Sequence, residues 1–226
     1  MKTLISLLAV LTLAVPGAAP ALAAQGDTVL RFGPMYTVPG GEHVPLHTFM
    51  PGWFTRWLGR MIERRSGYVP DLTEGEGPVV FPAGGATFAP LICYEIIYPG
   101  LVRSTLALEP DVLLNLSNYA WYPGTIQPEQ AEDITIFRAV ENRRPVVVSA
   151  NNGISSIIDA TGIVRKSIAK DAVGTLGARV PLTDAGSLYA LVGDLFAWLS
   201  VAIVTLLAAG AVYSGRRNRA RGGEQT

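Results

Sequence analysis

Apolar and polar positions divide the chain into two apolar ends and an alternating middle. Leu4 to Val15 is an uncharged, mostly apolar run that Pro16 stops, preceded by Lys2 and followed by the small residues Ala21-Leu22-Ala23. This layout predicts a secretory signal peptide over residues 1–24, because the run is shorter than the roughly 20 apolar residues that cross a bilayer. Leu195 to Tyr213 is broken only by Ser200, Thr205 and Gly210 and is long enough to span, with Trp198 and Tyr213 near its two ends. It predicts a transmembrane helix over 191–214 and a basic tail over 215–226, where Arg216, Arg217, Arg219 and Arg221 mark the cytoplasmic side. Residues 25–190 are then expected on the exported, periplasmic side of the plasma (inner) membrane.

The middle alternates between strand-like and helix-like patterns. Phe88 to Glu95 reads as a buried strand, Leu101 to Leu108 as a helix after Pro99-Gly100, and Asp111 to Ser117 as a second buried strand. A loop with Asn118, Trp121, Pro123 and Gly124 leads to a helix that Pro128 opens and Pro145 bounds. Glu129, Glu132 and Asp133 sit near its positive end. Val146 to Ala150 and Ile154 to Ile158 read as strands, and Asp159-Ala160-Thr161-Gly162 as a turn into further strand. Strand, helix, strand, helix, strand predicts a layered α/β fold. Upstream, Trp53, Phe54, Trp57, Leu58, Met61 and Ile62 recur at helical spacing, with Arg56, Arg60, Arg64 and Arg65 on other faces. Such a helix fits a membrane interface or a face packed on the domain's own core.

Charge and chemistry narrow the function classes. The chain has 18 basic and 18 acidic residues, and without Lys2 and the tail from Ser214 the exported segment carries about −4. That balance argues against nucleic acid as a partner. Cys93 is the sole cysteine, so it forms no internal disulfide and is a buried structural thiol or a reactive one. His43 and His47 follow Glu42; Cys93, His43 and Glu42 would supply a thiol, a base and an orienting carboxylate, and solvated histidines are the other reading. A metal site needs three or four ligands, and no such cluster is evident, so neither a metal nor a cofactor is expected. Arg138 and Glu141, three apart on a helix, predict a structural ion pair. Asn151 and Asn152 fit turns or strand ends, or a substrate contact.

Several spaced motifs carry a resemblance. These are Ile92-Cys93-Tyr94-Glu95 through Pro99, Asn115-Leu116-Ser117-Asn118 with Ala120-Trp121, Arg138-Ala139 with Glu141-Asn142, and Asn151-Asn152-Gly153-Ile154. Val38-Pro39-Gly40-Gly41-Glu42-His43-Val44-Pro45 lies upstream, and Leu188-Tyr189 with Gly193-Asp194 and Trp198 downstream. In this order they resemble the carboxy-terminal half of a nitrilase-superfamily (carbon-nitrogen hydrolase) domain, and within it the apolipoprotein N-acyltransferases. The resemblance implies a partial αββα sandwich over residues 25–190. It also implies acyl transfer from a phospholipid, through a cysteine thioester, to the N-terminal amine of a lipidated apolipoprotein. Cys93 matches the nucleophile and Glu42 a supporting active-site glutamate. Tyr94 would lend its backbone amide to an oxyanion hole, Glu95 would support the site, and Asn118, Trp121, Asn151 and Asn152 would bind substrate.

The departures are as specific as the matches. The family's triad lysine should fall at Pro34, while the chain's lysines are Lys2, Lys166 and Lys170. The triad glutamate and the amino-terminal membrane bundle have no counterpart. A thiol near its free pKa of about 8.5 is only a few per cent thiolate at neutral pH. Three readings are then open: an N-acyltransferase, or one part of a split enzyme completed by a partner chain; an inactive homologue that binds lipid or lipoprotein; or a membrane-anchored nitrilase-type amide hydrolase.

Overall fold

Strands apolar on both faces can be stable only if both faces are covered, and the central strands of this chain are of that kind. The computed structural model describes residues 5–9, 49–66, 75, 77–120 and 123–222. Glu42, Trp121, Pro34 and both histidines lie outside these residues. The chain divides into two units, Met1–Ser187 and Leu188–Thr226.

In the first unit the elements run in the order β1 (Ile5–Ala9), α1 (Gly52–Ser66), β2 (Phe81–Ala83), β3 (Ala86–Ile92), α2 (Pro99–Thr105), β4 (Val112–Asn118), α3 (Gln127–Asn142), β5 (Val146–Asn151), β6 (Ser155–Ile158), β7 (Val164–Ile168) and β8 (Leu176–Val180). A six-stranded sheet has the order β2-β3-β4-β5-β6-β7, and β1 pairs antiparallel with β8 in a second, two-stranded sheet. The first half of the expected leader thus contributes a strand, since a short apolar run fits a strand as well as a helix.

Strands β3, β4 and β5 are parallel, joined by α2 and α3. Right-handed crossovers between sequential parallel strands put both helices on one face. Accordingly Ala89, Leu91, Leu113, Val146, Val148 and Ile158 pack with Val102 of α2 and Ala139 of α3 in one cluster. Their neighbours in sequence, Phe88, Val112, Val147 and Ile157, point to the other face and pack with Val180 of β8, as the two-residue side-chain period of a strand requires. Helices cover one face and a second sheet the other, so the fold is a nitrilase-like α/β arrangement whose described layers are helix, sheet and sheet. The short β2–β3 hairpin turns through Gly84 and Gly85, both at positive φ (57° and 82°), the backbone that a two-residue hairpin turn favours and glycine adopts without strain.

Two boundaries differ from the sequence reading. The strand expected to run to Glu95 stops at Ile92, and Cys93–Ile97 forms a single 3-10 turn. The helix expected over Leu101–Leu108 starts at Pro99, which suits a first helical position, and its last turn tightens to 3-10 over Leu106–Leu108. Arg144 then ties three segments together: its Nε donates to the carbonyl of Pro110 at 2.7 Å, and its Nη1 to those of Thr183 and Ala185 at 3.1 and 3.3 Å.

The second unit contains α4 (Leu188–Val192) and α5 (Leu195–Gly222). Within α5, Leu195–Ser214 is 20 residues long with a mean hydropathy of 2.3, long and apolar enough to cross a membrane. The helix continues through the basic stretch to Gly222.

Candidate active site

Parallel strands deliver their carboxyl-terminal residues to one edge of the sheet, and crevices at that edge are where α/β folds bind ligands. Cys93 directly succeeds β3, Asn118 ends β4 and Asn151 ends β5. The fold therefore brings together three predicted site residues that are far apart in sequence.

Cys93 has a left-handed backbone, φ 50°, a conformation that costs an L residue about 1–2 kcal/mol. The chain must turn there because the extended Ile92 gives way at once to the 3-10 turn. Glu95, fully buried, holds that turn: its Oε2 accepts a 2.6 Å hydrogen bond from the backbone N–H of Ile92. The carboxylate thus bonds to the residue just before the cysteine. Tyr98 closes the turn with its N–H donating to the Glu95 carbonyl at 3.1 Å, and its ring meets Tyr94 edge to face, centroids 5.5 Å apart. The resulting half-buried thiol has its Sγ 4.0 Å from the carbonyl oxygen of Asn118.

Asn118 is the hub of the neighbouring loop. Its Oδ1 accepts from the backbone N–H of Ala120 at 3.1 Å and from Nδ2 of Asn151 at 3.2 Å. This joins the ends of β4 and β5 by side chains where the ladder stops. Asn152, at φ 58°, turns away and donates from Nδ2 to Oδ1 of Asp171 at 3.3 Å. The two asparagines therefore face different partners: Asn151 borders the cysteine's loop and Asn152 supports the turn at 171.

Tyr119 was not among the residues singled out from sequence. It is buried, its backbone N–H donates to the carbonyl of Asn151 at 2.9 Å, and its ring lies against Gly153 so closely that a Cβ there would fall 2.1 Å from Tyr119 Cδ2. Burial pushes the phenol's pKa up, and the charge of a Cys93 thiolate would push it further. The one legible signal was the glycine after two asparagines, which marks close backbone approach.

Two further groups shape the surroundings. Arg138, buried on α3, makes the expected ion pair with Glu141, with two contacts of 3.1 Å. Lys170 binds Glu129 at the start of α3 with a 2.5 Å contact, and this hydrogen bond lowers the glutamate's pKa. Lys170 is thus engaged with α3. Among the described residues no group of three or more His, Cys, Asp or Glu side chains could hold a metal ion. The arrangement places a half-buried thiol on a left-handed turn that a buried carboxylate holds.

Residues 47–190 match the carbon-nitrogen hydrolase family. The chain is 33% identical over 188 residues to the apolipoprotein N-acyltransferase of Geobacter metallireducens, a match covering 83% of this chain and 34% of that protein. It is 31% identical over 190 residues to that of Rickettsia prowazekii, covering 83% and 36%. The chain spans about a third of the length of these relatives. Among solved structures, an amidase from Nesterenkonia sp. superposes with a TM-score of 0.43 at 23% identity, covering 50% of this chain and 44% of that one.

Proposed function

The chain belongs to the carbon-nitrogen hydrolase family, and we propose that it is the nucleophile-bearing part of an apolipoprotein N-acyltransferase. The observation that carries this reading is Cys93 on its left-handed turn, pinned by the buried Glu95. The names of the relatives supply the substrate classes.

In this reading the Cys93 thiolate attacks the ester carbonyl of a phospholipid acyl chain. The ester C–O bond breaks, the lysophospholipid leaves with a proton, and the acyl group remains on Sγ as a thioester. The free amine of the lipidated acceptor then attacks that carbonyl, the C–S bond breaks, the thiolate is restored and the amine gives up a proton. Splitting the transfer in this way replaces one difficult step by two easier ones. The Tyr94 backbone amide would face the oxyanion in both tetrahedral intermediates, a kind of donor worth about 2.7–4 kcal/mol of transition-state stabilisation. Glu42 would support the nucleophile, and Asn118, Trp121, Asn151 and Asn152 would line the substrate path. With Leu195–Ser214 in the bilayer and the arginine-rich tail in the cytoplasm, this chemistry takes place on the exported side.

A second reading rests on Pro34, which stands where the family's lysine is expected and has no proton to exchange. An inactive relative that holds lipid or lipoprotein would tolerate that change. A membrane-anchored nitrilase-type amide hydrolase fits less well, since the Leu188-Tyr189 motif and the terminal apolar helix belong to the resemblance to the acyltransferases.

Intact mass spectrometry of the membrane-purified chain after incubation with phospholipid separates these readings. An added acyl mass that hydroxylamine removes and Cys93→Ala lacks supports the acyltransferase. No adduct on a folded chain, in the presence of an intact acyltransferase as positive control, favours the binding relative.

A further inference from the structure

We infer that α1 is an interfacial element that lies along an anionic lipid surface. Trp53, Trp57 and Met61 are 66%, 50% and 46% exposed. Spaced four apart, they form one stripe along the helix. Phe54, Leu58 and Ile62 form the adjoining stripe and are only half-buried. The tryptophan stripe is thus the more exposed part of the helix's apolar arc. Phe54 contacts both tryptophans, with centroids 5.8 Å and 5.6 Å away, which joins the two stripes into one apolar surface.

Charge selects the occupant. Arg56, Arg60 and Arg64 recur at the same four-residue spacing and flank the tryptophan side of the arc, and α1 carries four arginines against one acidic residue, Glu63. The exported segment as a whole is net negative, so this basic row is a local reversal. Tryptophan favours the boundary between headgroups and acyl chains. Arginine pairs with phosphate in a fixed fork and can reach it from an apolar face along its methylene stem. An apolar stripe beside a basic row is the pattern of a helix lying in the plane of an anionic interface. The inference rests on the surface of α1 and does not depend on the acyltransferase reading.

The test uses the full chain in nanodiscs of phosphatidylcholine, with or without phosphatidylglycerol. Spin labels are placed in the Cys93→Ala background at Met61→Cys, at Glu63→Cys and, as a reporter of the terminal helix, at Ala208→Cys. With phosphatidylglycerol present, the label at 61 should collide more with oxygen than with a polar nickel chelate, and the label at 63 should show the reverse. Adding Arg56→Glu, Arg60→Glu and Arg64→Glu should invert the ratio at 61 while the label at 208 stays unchanged. A label at 61 that favours the chelate in both discs overturns the inference, as does one shielded from both reagents, which would mean a protein covers the stripe. A water-like signal at 208 alone would count against the spanning helix and leave the result at 61 to decide α1.

Discussion

The carboxylate of Glu95 accepts a 2.6 Å hydrogen bond from the N–H of Ile92, so the residue two places after Cys93 grips the residue just before it. A residue on a strained backbone needs its conformation over-determined by the surroundings, and this bond does that for Cys93 from within four residues.

Removing the grip should therefore loosen the turn at Cys93. Glu95→Ala leaves a buried N–H without an acceptor, which typically costs about 1–3 kcal/mol. Glu95→Gln keeps an acceptor and should lose less. Chemical denaturation reads the stability, and the rate of Cys93 alkylation by iodoacetamide reads the turn. Equal alkylation rates in all three proteins would show that Glu95 does not position the thiol.

Gly153 and Tyr119 form a second testable pair. A Cβ at Gly153 would lie 2.1 Å from the ring of Tyr119, so Gly153→Ala must displace the ring, at about 1–3 kcal/mol by analogy with overpacked cores. In the Tyr119→Ala background the same glycine substitution should cost much less, because the clash is gone. A double-mutant cycle with no coupling between the two positions would refute this packing.

Stability should also depend on pH through Asp159. Its carboxylate is buried, and burial alone would raise its pKa. Hydrogen bonds from Thr161, Ile163 and Arg165 outweigh that effect and hold the pKa below the usual value. Because the folded pKa is the lower one, the stabilisation is complete above the unfolded pKa of about 3.9. It disappears as pH falls through the folded value. Asp159→Asn should thus destabilise the chain at pH 7 by about 1–3 kcal/mol, the range for leaving hydrogen-bonding groups unsatisfied around a buried site. The gap between mutant and wild type should narrow below about pH 4. Urea titrations of both proteins across this range provide the check, and a gap that is constant with pH would rule out the linkage.

The order of strands and helices was legible in sequence because each central strand contains a short apolar run and each helix of the middle is bounded by proline or turn residues, which are local signals. The same holds for the apolar carboxy-terminal run, which forms a helix long and apolar enough to cross a membrane, whereas Ile5–Ala9 of the amino-terminal run pairs with β8 as a strand. The Arg138–Glu141 pair was legible too, since residues three apart on a helix are neighbours whatever the fold. Apolar patterning did not separate the 3-10 turn at Cys93 from the end of a strand, since Ile92 to Glu95 reads equally well as extended until the Glu95 carboxylate bonds back. Tertiary structure alone brought Asn118 and Asn151 together, seated Tyr119 on Gly153, and laid Val180 of β8 across the second face of the sheet. These contacts join residues tens of positions apart, and periodicity, which records only which way a side chain points, carries no information about what will be there to meet it.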